Sequence, residues 1–598
     1  MGLPTPDNAK AGFWSQIGSI GHGDNYNSLI FSPNQWGATW IHQIMQGDPL
    51  SPYLFLLCVE GLSAMLRKAE ESHTLRGIKS SQHGVCISHL LFADDSLLFC
   101  RATMEECRRL LDLLGIYEVA SSQAINRQKT SLFFSTNTKP EVRRPIQQMM
   151  GARIMVNCEK YLGLPIVCGK SKVNTFKELQ EKITKMVMGW KEKLISKAGR
   201  EILIKTIAQA IPTYSMSLFK LPNAICDKIN SLLSNYWWGQ TNDEKKIHWI
   251  NWKKLCKDKK KGGMGFQDIL AFNVVMLTKQ AWRLIHNEQS LFYRVYKARY
   301  FPNSSFLMAE LGSNPSVVWR SLLDAIEVLR KGSTWQIGDG NSVGVTTHKW
   351  LPFAPEFLHE PNAVKKVCEL IDQSSRQWDW GKLAATFTAR TCKQILSLPL
   401  NRLDSHDTLV WTENKAKTFT VKTAYKVALR LKSGALAEHS SAREHGITWR
   451  KIWKLNVPPK VRTFLWRACS NYLPTRDNLS RRKIQVEATC EFCRQEPEIV
   501  AHILWKCLFV RNVWALGSGN VQKCSNEVVD FFLRFKHMQE TLEPPELDRW
   551  AITAWSIWND EIAIISSMFS DRPRWIMENA VGLLNEYQNL VAAQQAWG

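Results

Sequence analysis

Two clusters of side chains in this sequence have the types and spacing that chemistry needs. The first is a pair of adjacent acids, Asp94-Asp95, set between the apolar runs Leu90-Leu91-Phe92-Ala93 and Leu97-Leu98-Phe99-Cys100. Asp-Asp-Ser is a tight-turn sequence, so the stretch predicts a β-hairpin with acids at its tip. Two neighbouring carboxylates repel each other, and a divalent cation would reconcile them. Nucleotidyl transfer uses acids in this way, holding two Mg²⁺ ions about 3.5–4 Å apart that activate the attacking hydroxyl and stabilise the leaving pyrophosphate. Successive strand residues point to opposite faces, so one acid of the pair would ligate metal and the other serve structure. The alternative is an ordinary solvated turn.

The second cluster is Cys490-Glu491-Phe492-Cys493, then His502, then Cys507, a C-x2-C-x8-H-x4-C pattern. The close cysteine pair suits one edge of a tetrahedral zinc, and His502 with Cys507 suits the opposite edge. Three thiolates and one imidazole leave no open coordination position, so the expected site is structural. The alternative is four unrelated buried residues.

These clusters need elements to position them. Upstream of the acidic pair lies Gln46-Gly47-Asp48-Pro49-Leu50-Ser51-Pro52. Ser51 is a good helix cap and Pro52 suits the first helical position. The helix that follows is expected to place Leu54, Leu57, Cys58, Leu62 and Met65 on one face. Residues 46–170 mix helical and strand-like patterns. Residues 173–300 read as predominantly helical, with Lys197, Arg200 and Lys205 interleaved among apolar positions. A basic loop with Lys260 and Lys261 runs into Gly262-Gly263-Met264-Gly265. Arg481 and Arg482 lie beside the cysteine cluster. These seven cations are the candidate phosphate contacts, and a solvated helix face is the alternative for the helical ones.

Composition narrows the class. The 598 residues are 45% hydrophobic and 22% charged, as in a folded globular chain. Lys and Arg outnumber Asp and Glu by 77 to 54, giving +23, which favours a polyanionic partner. Nucleic acid is the first candidate and an anionic membrane surface the second. No run of 18 apolar residues and no secretory leader is apparent, so an intracellular protein without a membrane span is expected. The 15 cysteines mostly sit alone in apolar segments, as reduced buried thiols do. Most of the 25 tryptophans recur in apolar patterns and are expected in cores rather than in base stacks.

Taken in order, the motifs resemble those of non-LTR (LINE-type) retrotransposon reverse transcriptases. The resemblance rests on Gln46 through Pro52, Phe92-Ala93-Asp94-Asp95, Ser122-Gln123-Ala124-Ile125-Asn126 with Lys129, and Lys160-Tyr161-Leu162-Gly163-Leu164-Pro165. Gly199-Arg200 and Trp237-Trp238-Gly239 are similar to the family's thumb and the region beyond it. Trp449 through Trp453, Pro458-Pro459-Lys460-Val461, Phe464-Leu465-Trp466-Arg467, Leu473-Pro474-Thr475 and Trp514 resemble the zinc-binding module found downstream.

The resemblance implies an α+β multidomain chain. An irregular segment (1–45) would precede a partial polymerase palm (46–172) and a helical thumb-like region (173–300). A mixed connector (301–415), a small zinc-binding module (416–515) and C-terminal helices (516–598) would follow. Asp94 would ligate catalytic Mg²⁺ with Asp95 beside it. Gln46 and Gly47 would lie near nucleotide and template, and Lys129 on the phosphate-facing side. RNA or DNA would be the partner.

The family's palm also needs an aspartate at the end of an apolar strand upstream of Gln46. Residues 1–45 offer Asp7 and Asp24, neither of which ends such a strand. Met45 stands where the family usually has a basic residue. The expectation is an N-terminally truncated, non-catalytic nucleic-acid-binding remnant. The alternatives are an active RNA-directed DNA polymerase and a co-opted scaffold that binds protein through the zinc module. No ribonuclease H pattern is expected near residue 598.

Overall fold

The computed structural model describes residues 28–32, 36–38, 51–82, 84–93, 95–121, 123–155, 160–165, 171–191, 195–239, 246–359, 364–372, 374–400, 406–433, 440–525, 527, 530–564 and 572–596. The protein is α+β, with helices in the majority. Its chain forms two compact units, each assembled from three stretches. One comprises Met1–Glu178, Pro212–Asn223 and Leu270–Gly434; the other comprises Leu179–Ile211, Ala224–Ile269 and Ala435–Gly598.

The first unit is organised around one apolar strand. Asp95–Arg101 reads Asp-Ser-Leu-Leu-Phe-Cys-Arg, and its five central residues are buried on both faces. Such a run belongs in the middle of a sheet with cover above and below. With strands β1 (Ser28–Ser32), β2 (Trp36–Ala38), β3 (His89–Phe92), β4 (Asp95–Arg101), β5 (Gln123–Ile125), β6 (Ser131–Phe134) and β7 (Arg153–Ile154), the main sheet has the order β3-β4-β1-β6-β7. β1 pairs antiparallel with β4 (Phe31 opposite Leu98) and with β6 (Phe31 opposite Leu132).

Helices α1 (Ser51–Glu71), α2 (Met104–Ser121) and α3 (Pro140–Met150) contribute Leu62, Leu66, Leu110, Leu114, Ile146 and Met150 to a core shared with Leu98, Cys100 and Leu132. α1 spans Ser51–Glu71, starting one residue before the Pro52 that the capping signal indicates. Its buried side differs from the expected face. Leu62 and Leu66 are sealed, Cys58 and Met65 are partly buried, and Leu54 and Leu57 stay 42% and 70% exposed. The core is built by the second half of the helix, where α2 crosses it, so the first two turns keep Tyr53, Leu54, Leu56 and Leu57 open.

A second core in this unit gathers Val343, Val345, Trp350, Val367, Leu383 and Ile395. Its loop is stitched by the buried Asp407 carboxylate, which accepts the backbone N–H groups of Gly338, Gly340 and Ser342 at 2.8, 2.9 and 2.9 Å.

The second unit is helical. Tryptophans provide much of its interior, as their apolar settings suggest: Trp237, Trp466 and Trp550 are at most 2% exposed. Trp550 packs against Trp514, Phe531 and Phe535.

Candidate functional site

The acidic hairpin forms as its sequence predicts. β3 and β4 pair antiparallel with Phe92 opposite Asp95, so a two-residue connection joins them. Ala93 takes φ +46°, the left-handed backbone that such short hairpin loops demand, and a rare one for alanine. Asp95 opens β4, half-buried, followed by Ser96 at 1% exposure. Asp94, Gln46 and Gly47 lie outside the described residues.

The strand beside the hairpin is β1, whose sequence is Ser28-Leu29-Ile30-Phe31-Ser32. It holds no acid. Further along, β5 pairs with β2 (Ile125 opposite Trp36), and Asn126 starts the turn into β6. The Lys129 N–H donates to both the Asn126 carbonyl and its side-chain oxygen, leaving the lysine side chain at an exposed corner. Lys160–Tyr161 and Leu164–Pro165 close a small hairpin over Leu162 and Gly163, both with positive φ.

The cysteine–histidine cluster assembles from two local structures. Cys490 and Cys493 sit on a tight loop: the Arg494 N–H donates to the Cys490 carbonyl, and the Cys490 N–H donates to the Glu496 carbonyl, both at 2.8 Å. His502 and Cys507 are five residues apart, which on an α-helix would be about 140° away from one another. A widened turn over His502–Lys506 corrects this, its Cys507 N–H bonding the His502 carbonyl at 2.9 Å.

The four ligand atoms then lie within 4.8 Å of one another. Cys490 Sγ is 3.9 Å from Cys507 Sγ, and Cys493 Sγ is 3.3 Å from His502 Nε2. A tetrahedral zinc with bonds of about 2.0–2.3 Å has ligand–ligand edges of roughly 3.5–3.8 Å, so the donor set and its spacing fit that ion. The protons tell the same story. The Cys490 thiol is pushed up to about 12 by its hydrogen bond to Cys507 and by burial, while Cys507 is pulled down by that bond. Two buried sulfurs sharing a proton are relieved when a dication replaces it.

Sequence reasoning missed Glu496. Its carboxylate accepts the Nδ1–H of His502 at 3.0 Å, which turns Nε2 toward the thiols. An acid inside the eight-residue gap is the signal that could have found it.

The basic candidates take different positions. Lys197 Nζ donates to the Trp237 carbonyl at 2.8 Å and lies 5.2 Å from the ring centres of Trp237 and Trp238. Arg200 reaches the Tyr236 carbonyl at 3.4 Å. Lys205 is held by Glu201 at 2.6 Å and by the Met264 carbonyl at 2.7 Å. Lys260 and Lys261 are exposed, and Arg481 pairs with Asp477 at 3.0 Å. Arg482 donates to the His248 and Trp249 carbonyls at 3.1 and 2.8 Å, tying the zinc-cluster segment to the stretch after Trp238. Among the described residues, no helix is long and apolar enough to cross a membrane.

Comparison with known proteins adds an independent line. Residues 33–166 match the family model described as reverse transcriptase (RNA-dependent DNA polymerase). Residues 419–514 match the one described as zinc-binding in reverse transcriptase. An Arabidopsis thaliana protein named as a ribonuclease H protein is 26% identical over 362 residues, 59% of this chain and 57% of that protein. An uncharacterized mitochondrial protein of Arabidopsis thaliana is 40% identical over 143 residues, 24% of this chain and 93% of that protein. An uncharacterized protein of the transposon TX1 of Xenopus laevis is 23% identical over 311 residues, 49% of this chain and 23% of that protein. The chain therefore spans little more than half of the first relative's length.

Proposed function

Because the chain belongs to the reverse transcriptases of non-LTR retrotransposons and carries their zinc-binding module, we propose that it is a non-catalytic, nucleic-acid-binding member of that family. The observation that carries this reading is the composition of β1. It occupies the place beside the acidic hairpin, and Ser28-Leu29-Ile30-Phe31-Ser32 brings no carboxylate there. On this reading the main sheet is a partial palm in which, among the described residues of β1, no acid joins the Asp94-Asp95 hairpin to complete a two-metal site. Losing one ligand group from such a site costs orders of magnitude in rate, because metal positioning supplies much of the catalysis.

The binding half of the function is carried by the other unit. Cys490, Cys493, His502 and Cys507 would hold a structural zinc whose bound charge closes the loop between them. Exposed Lys260 and Lys261, with Arg481 beside the zinc cluster, would meet phosphates of RNA or DNA.

Primer extension on a primed RNA template, with Mg²⁺ or Mn²⁺, tests the first half against an Asp94→Ala, Asp95→Ala control. Folded protein without extension is expected. Extension that vanishes in the control would make the chain an active RNA-directed DNA polymerase and overturn the reading. Binding to a labelled strand at two salt concentrations tests the second half. Phosphate-driven binding weakens steeply with salt, whereas a protein-binding scaffold would show no such strand binding.

A further inference from the structure

The second unit contains a pocket of about 370 Å³ whose wall includes Lys197, Trp237, Trp238, Lys246, Thr463 and Arg467. Its chemistry is one-sided. Among the described residues that line it, none is acidic, and the charged ones are all cations.

The cations crowd one another. Burial, then Arg200 and Arg467, push the Lys197 ammonium down to about 7, and burial also lowers Arg467. An anion against both would offset that repulsion. Of the indoles in the remaining wall, Trp237 and Trp466 are sealed, and the half-buried Trp249, beside Ile247 and Thr463, keeps a surface on which a nucleobase packs regardless of its identity.

We infer that this pocket receives one unpaired nucleotide of a bound nucleic-acid strand, its phosphate on Lys197 and Arg467 and its base against Trp249. The inference rests on the nucleic-acid-binding reading above and gives it a location. It joins elements from opposite ends of the unit: Lys197 and Trp237 come from its first two stretches, and Arg467 from the helix Pro459–Cys469 of the zinc-binding segment.

The test uses the full zinc-loaded chain and a labelled single-stranded oligouridylate carrying one 4-thiouridine. Irradiation is expected to attach the strand within residues 237–249 or 463–467. The variant Lys197→Met, Arg467→Met keeps the apolar stems and should bind about tenfold more weakly, with a salt slope smaller by roughly 0.7 per lost phosphate contact. Unchanged zinc content and circular dichroism would show that this variant is folded. If it is not, Lys246→Gln, at an exposed position, should weaken binding about two- to threefold by the same phosphate logic. Wild-type binding with attachment elsewhere, or with unchanged affinity and slope in the variants, would overturn the pocket and leave the functional reading standing. No strand binding by the wild-type chain would overturn both.

Discussion

The imidazole of His502 is held between two acids of different kinds: its Nδ1–H meets the Glu496 carboxylate at 3.0 Å, and its Nε2 faces the Cys493 thiol at 3.3 Å. Glu496 therefore fixes which nitrogen is offered to a metal. Because its side chain is 61% exposed, removing it should leave the fold in place. Glu496→Ala is expected to lower zinc affinity by about 10–100-fold, read by competition with a chromogenic chelator. Unchanged affinity would mean that the contact orients nothing.

Cys490→Ser should abolish zinc binding, since a hydroxyl does not ionise to replace a buried thiolate. Elemental analysis is expected to show about one zinc per wild-type chain and none in the variant. Limited proteolysis should open the loop around residues 490–507. Cys469→Ala serves as the control. Its thiol is also buried but belongs to no ligand group among the described residues, so zinc content should be retained. Lowering the pH should release zinc from the wild type as protons compete for the ligands.

The clustering of these four residues was legible in the sequence because their geometry is mostly local. Four residues within an 18-residue window, two of them in a C-x2-C loop, leave the chain few ways to arrange them. The acidic hairpin was legible for the same reason, since alternating structure and turn chemistry act over a few residues. The cover on α1 was not. Periodicity identifies Leu54 and Leu57 as core candidates, yet only tertiary packing decides which turns another helix crosses. Nor did the sequence indicate that Lys197 and Arg467, 270 positions apart, would line one pocket. Lys205 looks as basic as Lys197 in sequence, but a Glu201 one turn away holds it.

Lys197 should leave a mark on the pH dependence of stability. Its ammonium titrates near 10.5 when unfolded and is held to about 7 in the fold, mainly by burial. Between those values the unfolded chain binds more protons, so stability should rise with pH from about 7 toward 10.5. Below about 7 both states are protonated and the contribution is flat. Urea midpoints of wild type and Lys197→Met, compared at pH 7 and 9, should converge or cross as the wild type gains. Parallel curves would refute the buried-charge account.

Asp407 offers a test in the other unit. Its carboxylate takes three backbone N–H groups at once, and Asp407→Ala strands all of them in a buried loop. A loss of about 3 kcal/mol or more is expected. Hydrogen exchange should accelerate at the Gly338, Gly340 and Ser342 amides before it does elsewhere. Equal protection in the variant would show that the loop holds itself.

The hydrogen bond from the Trp466 indole N–H to the Gly262 carbonyl, at 2.9 Å, spans 204 residues of chain. It sets a timetable. A ribosome adding about 5–20 residues per second needs roughly 10–40 s to travel between these two groups. Throughout that interval the early stretches of the second unit wait for a partner that has not been synthesised, while the chain of the first unit emerges between them. Stalled nascent chains that end before Trp466 should be cut by protease around residues 224–269, and chains extended past residue 598 by a linker should resist. The apolar tryptophan interior that stabilises the finished unit is thus, during translation, a debt owed to chaperones.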